Sequence, residues 1–111
     1  MPHCVIEYSQ ELEIVPTKLL NAVFQGALNS QLFEATDIKT RALAFNHFMS
    51  GDARQNFVHV TVKILSGRNT EQRNNLSQSI LNELNNIYSS PVSLTVEINE
   101  IERSSYAKVV K

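Results

Sequence analysis

The strongest constraint on the fold is an alternating run in the middle of the chain. Residues 56–65 place valine or isoleucine at every second position from Val58 to Ile64, and a mixed set of side chains occupies the positions between them. A period of two is typical of a β-strand that buries one face in a core. The run therefore predicts a central strand around which the rest of the chain must be arranged.

Similar patterns predict four strands and two helices in the order β-α-β-β-α-β. The strands cover residues 3–8, 37–48, 56–65 and 92–98, and apolar residues at helical spacing predict helices over 17–32 and about 70–88. Pro16 lies near the first turn of the first helix, where proline is favoured. Asn69 and Gln72 have the spacing of a capping box at the start of the second helix.

This order predicts an α+β fold. A length of 111 residues indicates a single domain over 1–111. Right-handed crossovers would place both helices on one face of a four-stranded sheet. The other face would be bare in a monomer, and because the strands carry apolar residues on both faces, we expect an oligomer to cover it.

Composition excludes several classes of protein. Ten Lys and Arg residues against eleven Asp and Glu residues give a net charge of −1, which argues against a nucleic-acid or anionic-membrane partner. A single cysteine, Cys4, cannot form an intrachain disulfide. No apolar run approaches the ~18 residues of a membrane span, and the first residues lack the features of a signal peptide. We therefore expect a cytoplasmic protein.

Pro2 is the first candidate for chemistry. A small second residue generally permits removal of the initiator methionine, which would leave proline at the amino terminus as a secondary amine. An ordinary α-amino group has a pKa of ~7.7–8.0, close enough to neutrality for acid–base catalysis after modest tuning. The alternative interpretation is that Met1-Pro2 is an ordinary start of a chain.

Three basic residues are candidates for binding an anion. Arg68 follows Gly67 at a strand–helix junction, where an arginine can pair with a carboxylate. Lys39 and Arg41 share one face of a predicted strand and need an anionic partner or open solvent. The alternatives are a solvated turn for Arg68, and an exposed sheet edge or an intersubunit salt bridge for Lys39 and Arg41.

The remaining titratable residues suggest no further site. The three histidines, His3, His47 and His59, have no metal-ligand spacing, so we predict no metal site. Cys4 is interpreted as a buried thiol. Three other arginines are interpreted as surface charges: Arg54, Arg73 and Arg103.

Several of these segments together resemble a known family. The segments are residues 2–3, 7–9, 38–41, 57–64 and 67–73. They are similar to the tautomerase superfamily, and within it most of all to the 5-carboxymethyl-2-hydroxymuconate isomerase family. The resemblance implies a homotrimer in which three sheets form a central barrel with the helices outside.

The resemblance also implies a chemistry. It implies cofactor-free enol–keto (1,3 or 1,5) tautomerisation of an unsaturated 2-hydroxy di- or tricarboxylate such as 5-carboxymethyl-2-hydroxymuconate, with Pro2 as the general acid and base. Arg68 matches an arginine that binds the substrate carboxylate and acts in catalysis. Lys39 and Arg41 match two basic substrate-binding positions. Lysine offers a point charge without the planar fork of arginine, so either Lys39 or Arg41 can take the second carboxylate.

Two other interpretations remain open. One is a non-catalytic trimeric relative of the same family. The other is a ferredoxin-like RNA-binding module, which has the same order of elements but needs glycines and a second stacking aromatic on the third strand. Residues 55–60 lack both of these features.

Overall fold

A computed structural model describes residues 1–111 and confirms the predicted α+β class and element order. The strands are β1 (His3–Ser9), β2 (Lys39–Phe45), β3 (Phe57–Leu65) and β4 (Ser93–Ile101), and the helices are α1 (Pro16–Asn29) and α2 (Thr70–Ile87). Short 3-10 turns at Ala35–Asp37 and Arg103–Ser105 precede β2 and follow β4.

The four strands form one sheet in the order β2-β1-β3-β4. β1 runs parallel to β2, β3 runs parallel to β4, and the central pair β1 and β3 is antiparallel. Each β-α-β half therefore keeps its two strands side by side, and the two halves are related by an approximate twofold axis through the central pair. No third strand separates the strands of either half, which distinguishes this sheet from the split ferredoxin-like arrangement.

A single core fills the space between the sheet and both helices. Alternate residues of β1 and β3, from Cys4 to Tyr8 and from Val58 to Ile64, are buried on the face that the helices cover. The helices contribute six apolar residues without any exposed surface: Leu19, Val23, Ala27, Leu76, Ile80 and Leu84. Both helices therefore lie on one face of the sheet, as predicted.

Three elements have a boundary that differs from the prediction by more than one residue. α1 ends at Asn29 instead of residue 32, because Gln31 adopts a left-handed φ of 63° that a helix cannot continue through. β2 is shorter than the predicted 37–48, because the 3-10 turn at Ala35–Asp37 occupies the chain before it. β4 extends to Ile101 instead of residue 98, because its pairing with β3 continues as far as Leu65.

The face of the sheet opposite the helices is bare within the protomer. It mixes charged and apolar side chains, among them Arg41, Leu43 and Thr61. Leu43 lies on this face and is 58% exposed. No helix is both long and apolar enough to cross a membrane.

Candidate active site

One edge of the sheet gathers residues that are far apart in the sequence. β1 and β2 begin at this edge, and His3 pairs with Lys39. β3 and β4 end at the same edge, because β3 is antiparallel to β1 and β4 is parallel to β3. Pro2, which precedes β1, therefore lies at the same edge as Arg68, which follows β3.

A cleft of about 510 Å³ opens at this edge. Its walls include Met1, Phe33, Arg68, Arg103, Tyr106 and Lys108. Three of these side chains are cationic, and the two acidic residues in the lining are Glu34 and Asp37. The volume and the mixture of apolar and charged walls are typical of a site for a small organic anion.

The amino terminus lies in this cleft. Pro2 is fully buried beside Met1, and its carbonyl accepts a hydrogen bond of 3.0 Å from the Lys39 backbone N–H. The Met1 α-amino group donates a hydrogen bond of 2.8 Å to the Asp37 carbonyl. While Met1 is attached, the Pro2 nitrogen is part of an amide and is not basic.

The surroundings disfavour a positive charge on an amine at this position. Burial lowers the pKa of the Met1 α-ammonium below its ordinary value, and the nearby charge of Lys39 lowers it further, whereas Asp37 acts in the opposite direction. An amine held here is therefore deprotonated at a lower pH than the same amine in water, which suits a general base.

Arg68 is fixed in the cleft wall by three contacts. Its Nη2 donates a hydrogen bond of 2.9 Å to the Leu32 carbonyl, and its guanidinium lies 4.9 Å from the centre of the Phe33 ring. The Arg73 side chain donates to the Arg68 carbonyl. The first two contacts hold the guanidinium in the cleft wall and the third holds the backbone, while other guanidinium N–H groups remain free to bind a carboxylate.

Lys39 and Arg41 lie outside the cleft lining. Lys39 is close to the amino terminus, and its Nζ donates a hydrogen bond of 3.3 Å to the Asp37 carbonyl. Arg41 lies further along β2 on the bare sheet face, with its Nη1 3.3 Å from His3 Nδ1. Both side chains therefore lie on the same face of β2. Lys39 is near the amino terminus, and Arg41 contacts His3, whose ring in turn contacts the cleft residue Tyr106.

The carboxyl-terminal segment forms part of the cleft, which the sequence did not indicate. Arg103 is exposed, as predicted, but it also lines the cleft together with Tyr106 and Lys108. The Tyr106 hydroxyl lies 3.1 Å from His3 Nε2 and 2.8 Å from the Met1 sulfur. The position of this segment follows from the topology of the sheet. Because β3 and β4 are parallel neighbours, they end at the same edge, and the residues that follow them lie close together.

No group of three or more His, Cys, Asp or Glu residues is placed to hold a metal ion. Cys4 is fully buried, and burial raises the pKa of its thiol to about 12. A thiol with that pKa is a poor nucleophile near neutral pH.

Comparison with known families identifies the family to which the chain is similar over almost its whole length. The sequence pattern of the 5-carboxymethyl-2-hydroxymuconate isomerase family matches residues 2–110. This match confirms the resemblance seen in the sequence. No match was found among curated protein sequences.

Solved structures share the fold over nearly the whole chain. A 5-carboxymethyl-2-hydroxymuconate isomerase from Deinococcus radiodurans R1 is 22% identical with a TM-score of 0.83, covering 99% of this chain and 90% of that chain. A 5-carboxymethyl-2-hydroxymuconate delta-isomerase is 17% identical with a TM-score of 0.82, covering 99% and 89%. A fused 4-OT symmetric trimer is 13% identical with a TM-score of 0.74, covering 96% and 90%.

Proposed function

Because the chain belongs to the 5-carboxymethyl-2-hydroxymuconate isomerase family, we propose that it catalyses a cofactor-free enol–keto tautomerisation. The proposed substrate is an unsaturated 2-hydroxy di- or tricarboxylate such as 5-carboxymethyl-2-hydroxymuconate. The observation that carries this proposal is the position of the amino terminus in a cleft with Arg68 and two further cations. Such a cleft suits an anionic substrate and a terminal amine that can be a base.

The proposed reaction needs only a proton shuttle. Removal of Met1 turns the Pro2 nitrogen into a secondary amine, which takes the hydroxyl proton of the dienol as its oxygen forms a carbonyl. The electron pair moves through the conjugated system, and the resulting prolinium returns the proton to a carbon two or four bonds along. Arg68 and either Lys39 or Arg41 bind carboxylates and stabilise the negative charge that develops on the oxygen.

We also propose that the working form is a homotrimer. The bare sheet face, with Leu43 exposed on it, is a surface that a second copy of the chain can cover. A structural neighbour with the same fold is a symmetric trimer. In such an assembly Arg41, which is exposed on the bare sheet face, is available to a neighbouring chain.

The test begins with the mass of the purified chain, which we expect to lack methionine. Ketonisation of a 2-hydroxymuconate-type dienol is then followed by ultraviolet absorbance. We expect Pro2→Ala to lower kcat by about 100-fold or more, because it replaces the proposed acid–base group. Arg68→Ala should raise KM for the diacid.

Arg54→Ala is the matched control for Arg68→Ala. Arg54 is also an arginine that contacts a phenylalanine ring, Phe48, but it pairs with Glu11 away from the cleft. Full activity in Pro2→Ala would contradict the proposed base. A methionine retained in active protein would also contradict the proposed base. A methionine retained in inactive protein would favour the alternative interpretation, a non-catalytic trimeric relative.

A further inference from the structure

The last residues of the chain place two cations in the cleft that neither the family resemblance nor the mechanism above uses. After β4 ends at Ile101, the chain turns through Arg103–Ser105 and continues back towards the amino terminus. Tyr106 ties this segment to β1, because its hydroxyl lies 3.1 Å from His3 Nε2. Arg103 and Lys108 therefore reach the same cleft as Arg68.

Arg103 is held in place by the backbone at the end of β3. Its Nε and Nη2 donate hydrogen bonds of 3.1 and 3.0 Å to the Ser66 carbonyl. Its Nη2 also lies 3.7 Å from the place that a Cβ on Gly67 would occupy, which is an ordinary van der Waals distance. These bonds leave Nη1 of Arg103 without a partner in the protomer.

Lys108 is available to a ligand. It is exposed and forms no ion pair within the protomer. Its positive charge repels the positive charge of the Met1 α-ammonium and so contributes to the lowered pKa of that group. Lys108 is therefore close enough to the reacting end of the cleft to influence an ion bound there.

We propose that Arg103 and Lys108 form a second carboxylate subsite, distinct from Arg68, that makes the cleft selective for dicarboxylates over monocarboxylates. This inference rests on the proposed function, and within one protomer it assigns the second carboxylate to Arg103 and Lys108 in place of Lys39 or Arg41, neither of which lines the cleft. The two carboxylates of one ligand then bind to cations supplied by different parts of the fold. Arg68 follows β3 and receives one, and the segment that follows β4 receives the other.

The test measures binding without turnover. Adipate is a saturated six-carbon dicarboxylate, and monomethyl adipate keeps its length but has one charge fewer. Calorimetric titration of the full chain should show tighter binding of adipate than of the monoester. We expect Lys108→Gln to weaken the binding of adipate about fivefold, which is the effect of losing one exposed charge pair. The same change should leave the monoester unaffected.

Two variants make the result specific. Lys111→Gln removes a nearby exposed lysine that does not line the cleft and should change neither affinity. Arg103→Gln should weaken adipate more than Lys108→Gln does, provided that its melting temperature stays unchanged. Lys108→Gln removes no contact within the protomer, so this variant tests the proposed subsite even if Arg103→Gln unfolds.

Two results would overturn the subsite: equal affinity of the unchanged chain for adipate and its monoester, or equal weakening of both by Lys108→Gln. The proposed function is judged separately by the dienol assay. If the chain binds adipate selectively but turns over no dienol, the proposed tautomerase activity is contradicted and the proposed subsite is supported.

Discussion

Gly26 shows how a single residue sets the distance between the two helices. A Cβ at this position would lie 2.6 Å from the Ile80 Cα on α2, which is closer than real Cβ contacts allow. The Gly26 carbonyl also accepts a hydrogen bond of 2.7 Å from the Ser79 hydroxyl. From the sequence alone, this glycine only weakens the prediction of α1, because the contact that requires it lies 54 residues away at Ile80.

We expect Gly26→Ala to lower the free energy of unfolding. Overpacking typically costs about 1–3 kcal/mol, which exceeds the gain of up to ~1 kcal/mol that alanine brings to a helix. Urea denaturation of the variant measures the difference. Asn21→Ala, on the exposed side of the same helix, should be neutral or slightly stabilising. A Gly26→Ala protein more stable than the unchanged chain would show that the helices separate without cost.

His3 should titrate below the ordinary range for histidine. Burial lowers its pKa, and the charges of Arg41 and Lys39 lower it further. Because native His3 binds a proton less readily than unfolded His3, its contribution to stability is present above about pH 6.5. That contribution is lost as the pH falls through the lower native pKa.

The measurement is an NMR titration of the histidine rings. Arg41→Gln should raise the pKa of His3 towards its ordinary value, since it removes the nearest cation. Arg54→Gln is the control, because Arg54 pairs with Glu11, so its removal should leave the titration of His3 unchanged. A native His3 that titrates at or above pH 6.5 would contradict the prediction.

At the scale of the element, the capping box of α2 fixes the residue that follows β3. The Asn69 side chain accepts from the Gln72 backbone N–H at 2.8 Å, and the Gln72 side chain accepts from the Asn69 backbone N–H at 3.0 Å. This start of the helix comes directly after Arg68. The cap therefore stabilises the helix and also limits where Arg68 can lie.

Asn69→Ala should destabilise the protein by about 1 kcal/mol, the usual cost of losing a side-chain N-cap. Thermal or urea denaturation measures this loss. Asn69→Asp keeps an acceptor at the same place and should retain most of the stability. Equal stability of the alanine and aspartate variants would mean that the cap makes no net contribution.

The elements that could be predicted from the sequence are those whose pattern is local. The alternation from Val58 to Ile64 and the cap at Asn69 both lie within a few residues, and the structure contains both features. The half of the cleft formed by Arg103 and Lys108 could not be predicted in this way. Its position depends on β4 pairing with β3, and a pairing between distant segments leaves no pattern within either one.

At the scale of the whole molecule, the proposed trimer predicts a solution mass about three times the 12.5 kDa of one chain. Sedimentation equilibrium measures it. Leu43→Glu should shift the mass towards the monomer, because it places a charge on the bare sheet face where a second copy would pack. Val15→Glu changes a residue of similar exposure at the start of α1 and should leave the mass unchanged. A monomeric unchanged chain would contradict the proposed assembly.

The approximate twofold relation between the two halves of the sheet bears on how many reactive amines each chain can present. At the edge opposite the cleft, β3 begins at Phe57 in the same way that β1 begins at His3, but the chain continues through Asn56 into the connection from β2. The nitrogen there is always peptide-bonded, and resonance removes its basicity. The sheet thus has two corners related by the twofold axis, and only the corner at Pro2 can carry a proton-accepting terminal amine. An electrophile that traps that terminus should saturate at one equivalent per polypeptide, however many copies assemble.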